Sequence, residues 1–246
     1  MGLFDKKVCD VCGDKIGLLG NRKLDDGNLC GNCAKKLSPF FTDRRRATVA
    51  DIKQQLAYRE ANKQEVSRFT VSRQFGDEKK VLLDDRAGKF IVSSSARWQA
   101  ENPDVISISQ IVNFQIDIRE IKEEMKTKDN EGKSVSYNPP RYEFFYDFYV
   151  IFNVNSPYFN EIEVKLNNKS TGYRGSPEYR EYERQAFDLE NAIKQARQAA
   201  PAAAQAAPAQ AAPAAPAASG SRFCPNCGTA VPAGGGKFCP SCGGAL

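Results

Sequence analysis

The chain has 246 residues, with 35 Lys or Arg, 30 Asp or Glu and no histidine, for a formal net charge of +5. The missing histidine excludes a Ser-His-Asp triad, a Cys-His pair and every histidine-ligated zinc or haem site. With 41% hydrophobic and 26% charged residues the composition is that of an ordinary globular chain, long enough for one or two domains at about 100–200 residues each.

The first seven residues, Met1 to Lys7, hold no apolar run of signal-peptide length, and Lys6 stands where a myristoylation motif wants Ser or Thr. With no integral membrane segment legible either, the expectation is a cytoplasmic protein. The first motif is a pair of C-x2-C steps, Cys9/Cys12 and Cys30/Cys33, with 17 residues between the pairs. A C-x2-C turn puts two sulfurs on one side of a tight loop, and two such turns close a tetrahedron around one zinc ion. Gly13, just after the first pair, suits the positive φ that such a knuckle needs. Cys33 runs into Ala34 to Leu37, which reads as a helix, so residues 1–42 are expected to be a small treble-clef-like zinc module with four cysteine ligands.

Arg44, Arg45 and Arg46 follow, a basic run that could contact phosphates, with Phe40 and Phe41 nearby to stack on bases or to pack the module. Thr48 is a helix N-cap with Asp51 in the first turn, and 47–66 reads as a connecting helix with Val49, Ile52 and Leu56 on one face. From residue 67 the period turns to two. Strands are expected at Phe69/Val71, Val81–Leu83, Phe90–Val92, Val105–Ser109, Val112–Ile118, Tyr142–Val154 and Ile162–Leu166, with a polar loop over 122–140. Ser176-Pro177 then opens a helix whose stripe is Tyr182, Ala186, Leu189, Ile193 and Ala196.

Seven strands and one closing helix over 67–198 resemble, in element order, a pleckstrin-homology-like or GRAM-like domain. Residues 199–221 are Ala, Pro and Gln, a tether and not a core. Residues 222–246 carry the second quartet, Cys224, Cys227, Cys239 and Cys242, with 11 residues between its pairs and no following helix: a short C-terminal zinc ribbon. Each quartet of thiolates is a closed site, so two structural Zn2+ ions per chain are expected and neither is catalytic. Each loaded site contributes about −2, which brings the formal +5 to roughly +1.

The N-terminal residues Cys9, Cys12, Gly13, Ile16 to Gly20, Lys23, Leu24, Gly27, Leu29, Cys30, Cys33 and Lys36 to Ser38 resemble an uncharacterised bacterial family, a domain of unknown function. Its pattern implies a hairpin over Ile16–Gly20 and a helix from Lys36. The module's spacing is also similar to the N-terminal zinc domain of protease-associated unfoldases, which binds protein adaptors. The tail resembles ribbons found at the ends of many unrelated bacterial proteins.

No phosphate loop or paired catalytic group is legible, so the chain is read as not an enzyme. The leading expectation is an adaptor or scaffold that binds other proteins, with a tethered ribbon to engage a second contact. The alternatives are nucleic-acid binding through Arg44–Arg46, and a peripheral membrane contact through Lys79-Lys80 or Arg119–Lys128 of the β domain.

Overall fold

A computed structural model describes residues 7–206 and two short strands at 222–223 and 230–231. It is mostly β with a few helices. The first strands, β1 (Arg22–Lys23) and β2 (Asn28–Leu29), pair antiparallel around a turn at 25–27. The hairpin therefore lies after Ile16–Gly20 and not over it. Gly20 N donates to Gly17 O there, making a tip that carries Leu18 and Leu19.

Helix α1 (Gly31–Ala34) is a single turn, shorter than the expected Ala34–Leu37 extension. Two causes are visible. Pro39 pushes its predecessor out of the α region, and Ser38 Oγ is drawn into a bond with Asp104 Oδ2 at 2.8 Å.

Helix α2 (Val49–Arg68) begins in a capping box: Thr48 Oγ1 accepts from Asp51 N, and the Asp51 carboxylate accepts from Thr48 N at 2.8 Å. Asp26 Oδ1 takes the next free donor, Val49 N, at 2.7 Å. Its buried face is Ile52, Gln55, Arg59, Asn62 and Val66, at alternating steps of three and four. The apolar stripe read from the sequence is correct for the first turns, but the middle of the face is polar.

That polar face is the joint between the cysteine module and the strands. Arg59 Nη1 donates to Asp104 Oδ1 at 2.9 Å, with 8% and 0% of the two side chains exposed. Arg59 Nε reaches Lys36 O, and Asn62 Nδ2 donates to Pro103 O while its Oδ1 accepts from Val105 N. Burial pushes the Asp104 carboxyl upward, and the Arg59 guanidinium and the Ser38 hydroxyl pull it back. Gln55 is fully buried with no hydrogen-bond partner for either amide atom.

Strands β3 (Arg73–Phe75), β4 (Lys80–Asp84), β5 (Lys89–Ser93) and β6 (Ile106–Ser107) form one antiparallel sheet in that order, with the one-turn helix α3 (Trp98–Glu101) between the last two. The expected strand at Phe69 is displaced to Arg73. Phe69 instead packs edge-on to Trp98 at 5.6 Å, and Thr70 N donates to Asp84. The expected Val105–Ser109 strand shrinks to two residues because Ser107 caps a 3-10 turn over Ile108–Gln110.

A second antiparallel sheet has β7 (Ile111–Lys128), β8 (Ser134–Val154) and β9 (Glu161–Lys165) in that order. The largest departure from the sequence reading is here. Residues 122–140 are not a loop: β7 and β8 pair continuously from Glu120↔Tyr146 to Glu124↔Tyr142, shift register beyond Met125, and turn at 129–133. Polar residues fill both faces because neither face is covered, so the alternation that betrays a half-buried strand never develops.

Helix α4 (Pro177–Ala206) starts where Ser176 Oγ accepts from Tyr179 N. It runs past the expected end at 198 and through Pro201, whose neighbours are the strongest helix formers. The main core is Phe90, Phe148, Phe152, Val81, Leu83, Val164, Leu166 and Leu189, with α4 supplying the lid. Phe90 stacks on Phe152 at 4.8 Å. Leu82 and Ile91 face the other way, against Trp98 and Val66, so β4 and β5 are buried on both sides, which accounts for their unbroken apolar runs. In the separate unit that begins at Gln205, β10 (Arg222–Phe223) and β11 (Ala230–Val231) pair antiparallel. The rest of the tether and Cys224, Cys227, Cys239 and Cys242 lie outside the described residues.

Candidate metal centre

Cys9 leaves the chain just before a tight turn in which Gly13 N donates to Cys9 O and Gly13 holds φ at +80°. A side chain would be strained there, which is why glycine follows the pair. Cys30 sits at the start of α1, its sulfur accepting from Cys33 N, while Cys30 N donates to Cys9 Sγ at 3.3 Å. The knuckle and the helix turn thus hold each other's sulfurs. All four sulfurs lie within 4.8 Å of one another, and those of Cys12 and Cys30 are 3.7 Å apart.

Those spacings fit a metal. A Zn–S bond of about 2.3 Å gives a tetrahedron with edges of about 3.8 Å. The four-cysteine group is therefore positioned to bind one metal ion, with Cys9, Cys30 and Cys33 buried and Cys12 at the surface. The thiols differ as acids. Burial works against the Cys9 thiolate, yet backbone N–H groups of Cys12, Cys30 and Val11 pull its pKa down to about 6. Burial pushes Cys33 well above its usual range, and its thiol neighbours add to that. Four thiolates cannot crowd together without a cation to offset them.

The other sequence candidates separate. Arg44–Arg46 form one 3-10 turn, but Arg46 is spent on Asp43 at 2.9 Å. Arg44 and Arg45 instead meet Arg22 and Lys23 around a hollow of about 510 Å3 whose lining is completed by Asn21, Leu24 and Asp25. Spacing along the chain could not reveal that grouping, since about twenty residues and the whole second knuckle intervene. Phe40 packs on the strand core against Phe159, and Phe41 packs against the module, each half-buried.

Of the two basic candidates of the β domain, Lys79 and Arg119 are internally engaged. Lys79 Nζ donates to Glu163 O and lies over Phe40. Arg119 bonds Glu163 and, at 2.8 Å, Asp117, with its guanidinium 3.8 Å from the centre of the Tyr149 ring.

Residues 7–55 match the model of a family described as a domain of unknown function, DUF4428. The match spans the cysteine module and the first turns of α2, in line with the resemblance seen in the sequence. No curated protein and no solved structure matches the chain. No helix among the described residues is long and apolar enough to cross a membrane.

Proposed function

We propose that this chain is a non-enzymatic, zinc-stabilised adaptor of the cytoplasm that binds other proteins, and that the free β7–β8 arm is its main contact. The observation that carries this reading is the arm's exposure: no residue between Val112 and Phe145 is buried. From Arg119 to Lys128 it spans about 30 Å. A two-stranded ribbon alone in water is marginal at best, so an arm of this length is best understood as half of an interface.

Its chemistry suits a protein partner. Strand β9 pairs with β8 only over Tyr149–Asn153, and beyond the Tyr146–Thr171 bridge no strand among the described residues pairs with either edge of the ribbon. An open edge is a template for strand addition. Tyr142 and Phe144 are exposed on one face, with Lys122 Nζ 3.9 Å from the Tyr142 ring centre. Half-wet aromatics of this kind are typical anchors at protein interfaces.

The rest of the architecture supports the same role. The resemblance in element order over 67–198 to a pleckstrin-homology-like or GRAM-like domain supports the reading by fold analogy alone. Four thiolates leave no open position on a zinc ion, which makes the N-terminal site structural. A second such ion in the C-terminal ribbon, held on the Ala/Pro tether, would offer a second contact at raised effective concentration.

The test is to replace residues 121–145 by an Asn-Gly turn and compare this chain with the parent in capture from lysate of the source cell, with and without nuclease. A defined set of proteins held by the parent and lost with the arm is the expected result. The same set on both chains, or a set that disappears with nuclease, defeats the adaptor reading.

A further inference from the structure

We propose that the cysteine module carries a docking site for anionic lipid membranes, made by Leu18 and Leu19 together with the basic hollow of Arg22, Lys23, Arg44 and Arg45. This site is separate from the arm and does not depend on it. Leu18 and Leu19 are 87% and 90% exposed, more than any other large hydrophobic residue among those described. They sit side by side at the tip of the Gly17–Gly20 turn, where they add nothing to the folded interior. Two bare leucines at a protruding tip form a small aliphatic wedge.

The wedge stands next to the positive charge. Leu19 is two residues from Asn21, the first residue of the hollow, so their Cα atoms are no more than about 7 Å apart. Four cations line that hollow against one carboxylate, Asp25, and none of the four makes an ion pair among the described residues. The neighbouring acids Asp10 and Asp26 are exposed, but each is held by a local backbone donor: Asp10 accepts from Asn28 N at 2.6 Å, and Asp26 from Val49 N. Arg44 Nε is enclosed with no acceptor, so one donor of a guanidinium fork that suits phosphate is unspent.

The aliphatic tip decides between phosphate-bearing partners. A single-stranded nucleic acid would want aromatic platforms, and no aromatic residue lines the hollow, while the nearby Phe40 and Phe41 are half-buried against the strand core and the module. Leucine beside unpaired Arg and Lys matches a lipid surface, where acyl chains accept the apolar tip while headgroup phosphates meet the cations. Weak insertion and charge attraction act as two signals, each insufficient alone.

The experiment is co-sedimentation of the full chain with vesicles of phosphatidylcholine, with and without one-fifth phosphatidylserine. Binding to the anionic vesicles should fall as salt rises, and should drop about fivefold for each of Arg22→Gln and Arg45→Gln. The double change Leu18→Gln, Leu19→Gln should weaken it at least about tenfold. These side chains stand clear of the core, so circular dichroism and metal content should match the parent. A separate variant, Leu19→Trp, should shift its emission to the blue on the vesicles and be quenched by brominated lipid. Equal binding to neutral vesicles, or parent-like binding by the double leucine variant, overturns the proposal. So does displacement of the vesicles by millimolar inorganic phosphate or by an oligonucleotide, since either assigns the hollow to a soluble anion. Failure here leaves the arm reading standing.

Discussion

The cysteine module and the strand domain sit on either side of α2 and are held together by different means. The module's interior is Cys9, Cys30 and Cys33 with Ile16, Leu24, Leu29 and Leu37, side chains too few to fold so short a segment by apolar burial. The strand domain buries Phe90, Phe148 and Phe152 completely and closes over them with α4. One region needs a cation to balance its thiolates, and the other needs only water outside. The difference teaches that the two should fail separately, under different insults.

Chelation is the strongest way to break that comparison. Apparent metal binding at such a site is on the order of 10–16 kcal/mol. Removing the ion, or making Cys33→Ser, should unfold the module while Trp98, packed against Phe69, Leu82 and Ile91, keeps its buried emission. Metal content and tryptophan fluorescence read together decide it, and simultaneous loss of both would mean the two regions are one unit. The reverse insult is Phe152→Ala, which removes a ring touching Phe90 and Phe114. It should cost about 3–5 kcal/mol, seen as a lower denaturant midpoint with the metal still bound to the unfolded-strand form.

The joint comes next. Asp104→Ala strands the Arg59 guanidinium and the Ser38 hydroxyl in the interior, a loss of about 3–5 kcal/mol. Exchange of the α2 amides should reveal it, and unchanged protection would show that the latch is ornamental. A smaller effect is expected for Thr48→Ala, about 1 kcal/mol from the lost cap. The Thr48 amide and hydroxyl hold the Asp51 carboxyl below its usual range. Its contribution is therefore complete above about pH 4 and fades as the pH falls through the lowered value. In Thr48→Ala the difference from the parent should narrow in acid, which melting curves between neutral and acid pH would follow. Least of all, shortening the arm should leave the melting temperature where it is, since nothing in it beyond Tyr146 is buried.

The sequence was most readable where one physical constraint acts alone. Cysteine spacing placed the N-terminal sulfurs, the Ser176-Pro177 step placed the start of α4, and the alternation of Ile162, Val164 and Leu166 placed β9. It was least readable where distant partners act. Arg59 and Asn62 look like solvent-facing helix residues until Asp104 and Pro103 are brought against them. The arm looked like a loop because a strand open on both faces has no apolar period. Nothing in the sequence joins Arg22 and Lys23 to the Arg44–Arg46 run about twenty residues on, whose third member is committed to Asp43. The exposed pair at Leu18 and Leu19 was visible as a motif, but its exposure was not.

The buried Arg59–Asp104 pair also sets a schedule. During synthesis Ser38 and Arg59 leave the ribosome 66 and 45 residues before the carboxylate that serves both. At about 5–20 residues per second the guanidinium waits about 2–9 s for its counter-ion. Over that interval α2 has a polar face with nowhere to go, while the cysteines upstream are already complete and able to take up metal. The N-terminal region is thus made to finish first and stand alone until the strands arrive, and a delay in translating residues 60–104 would prolong the exposure of a half-assembled joint.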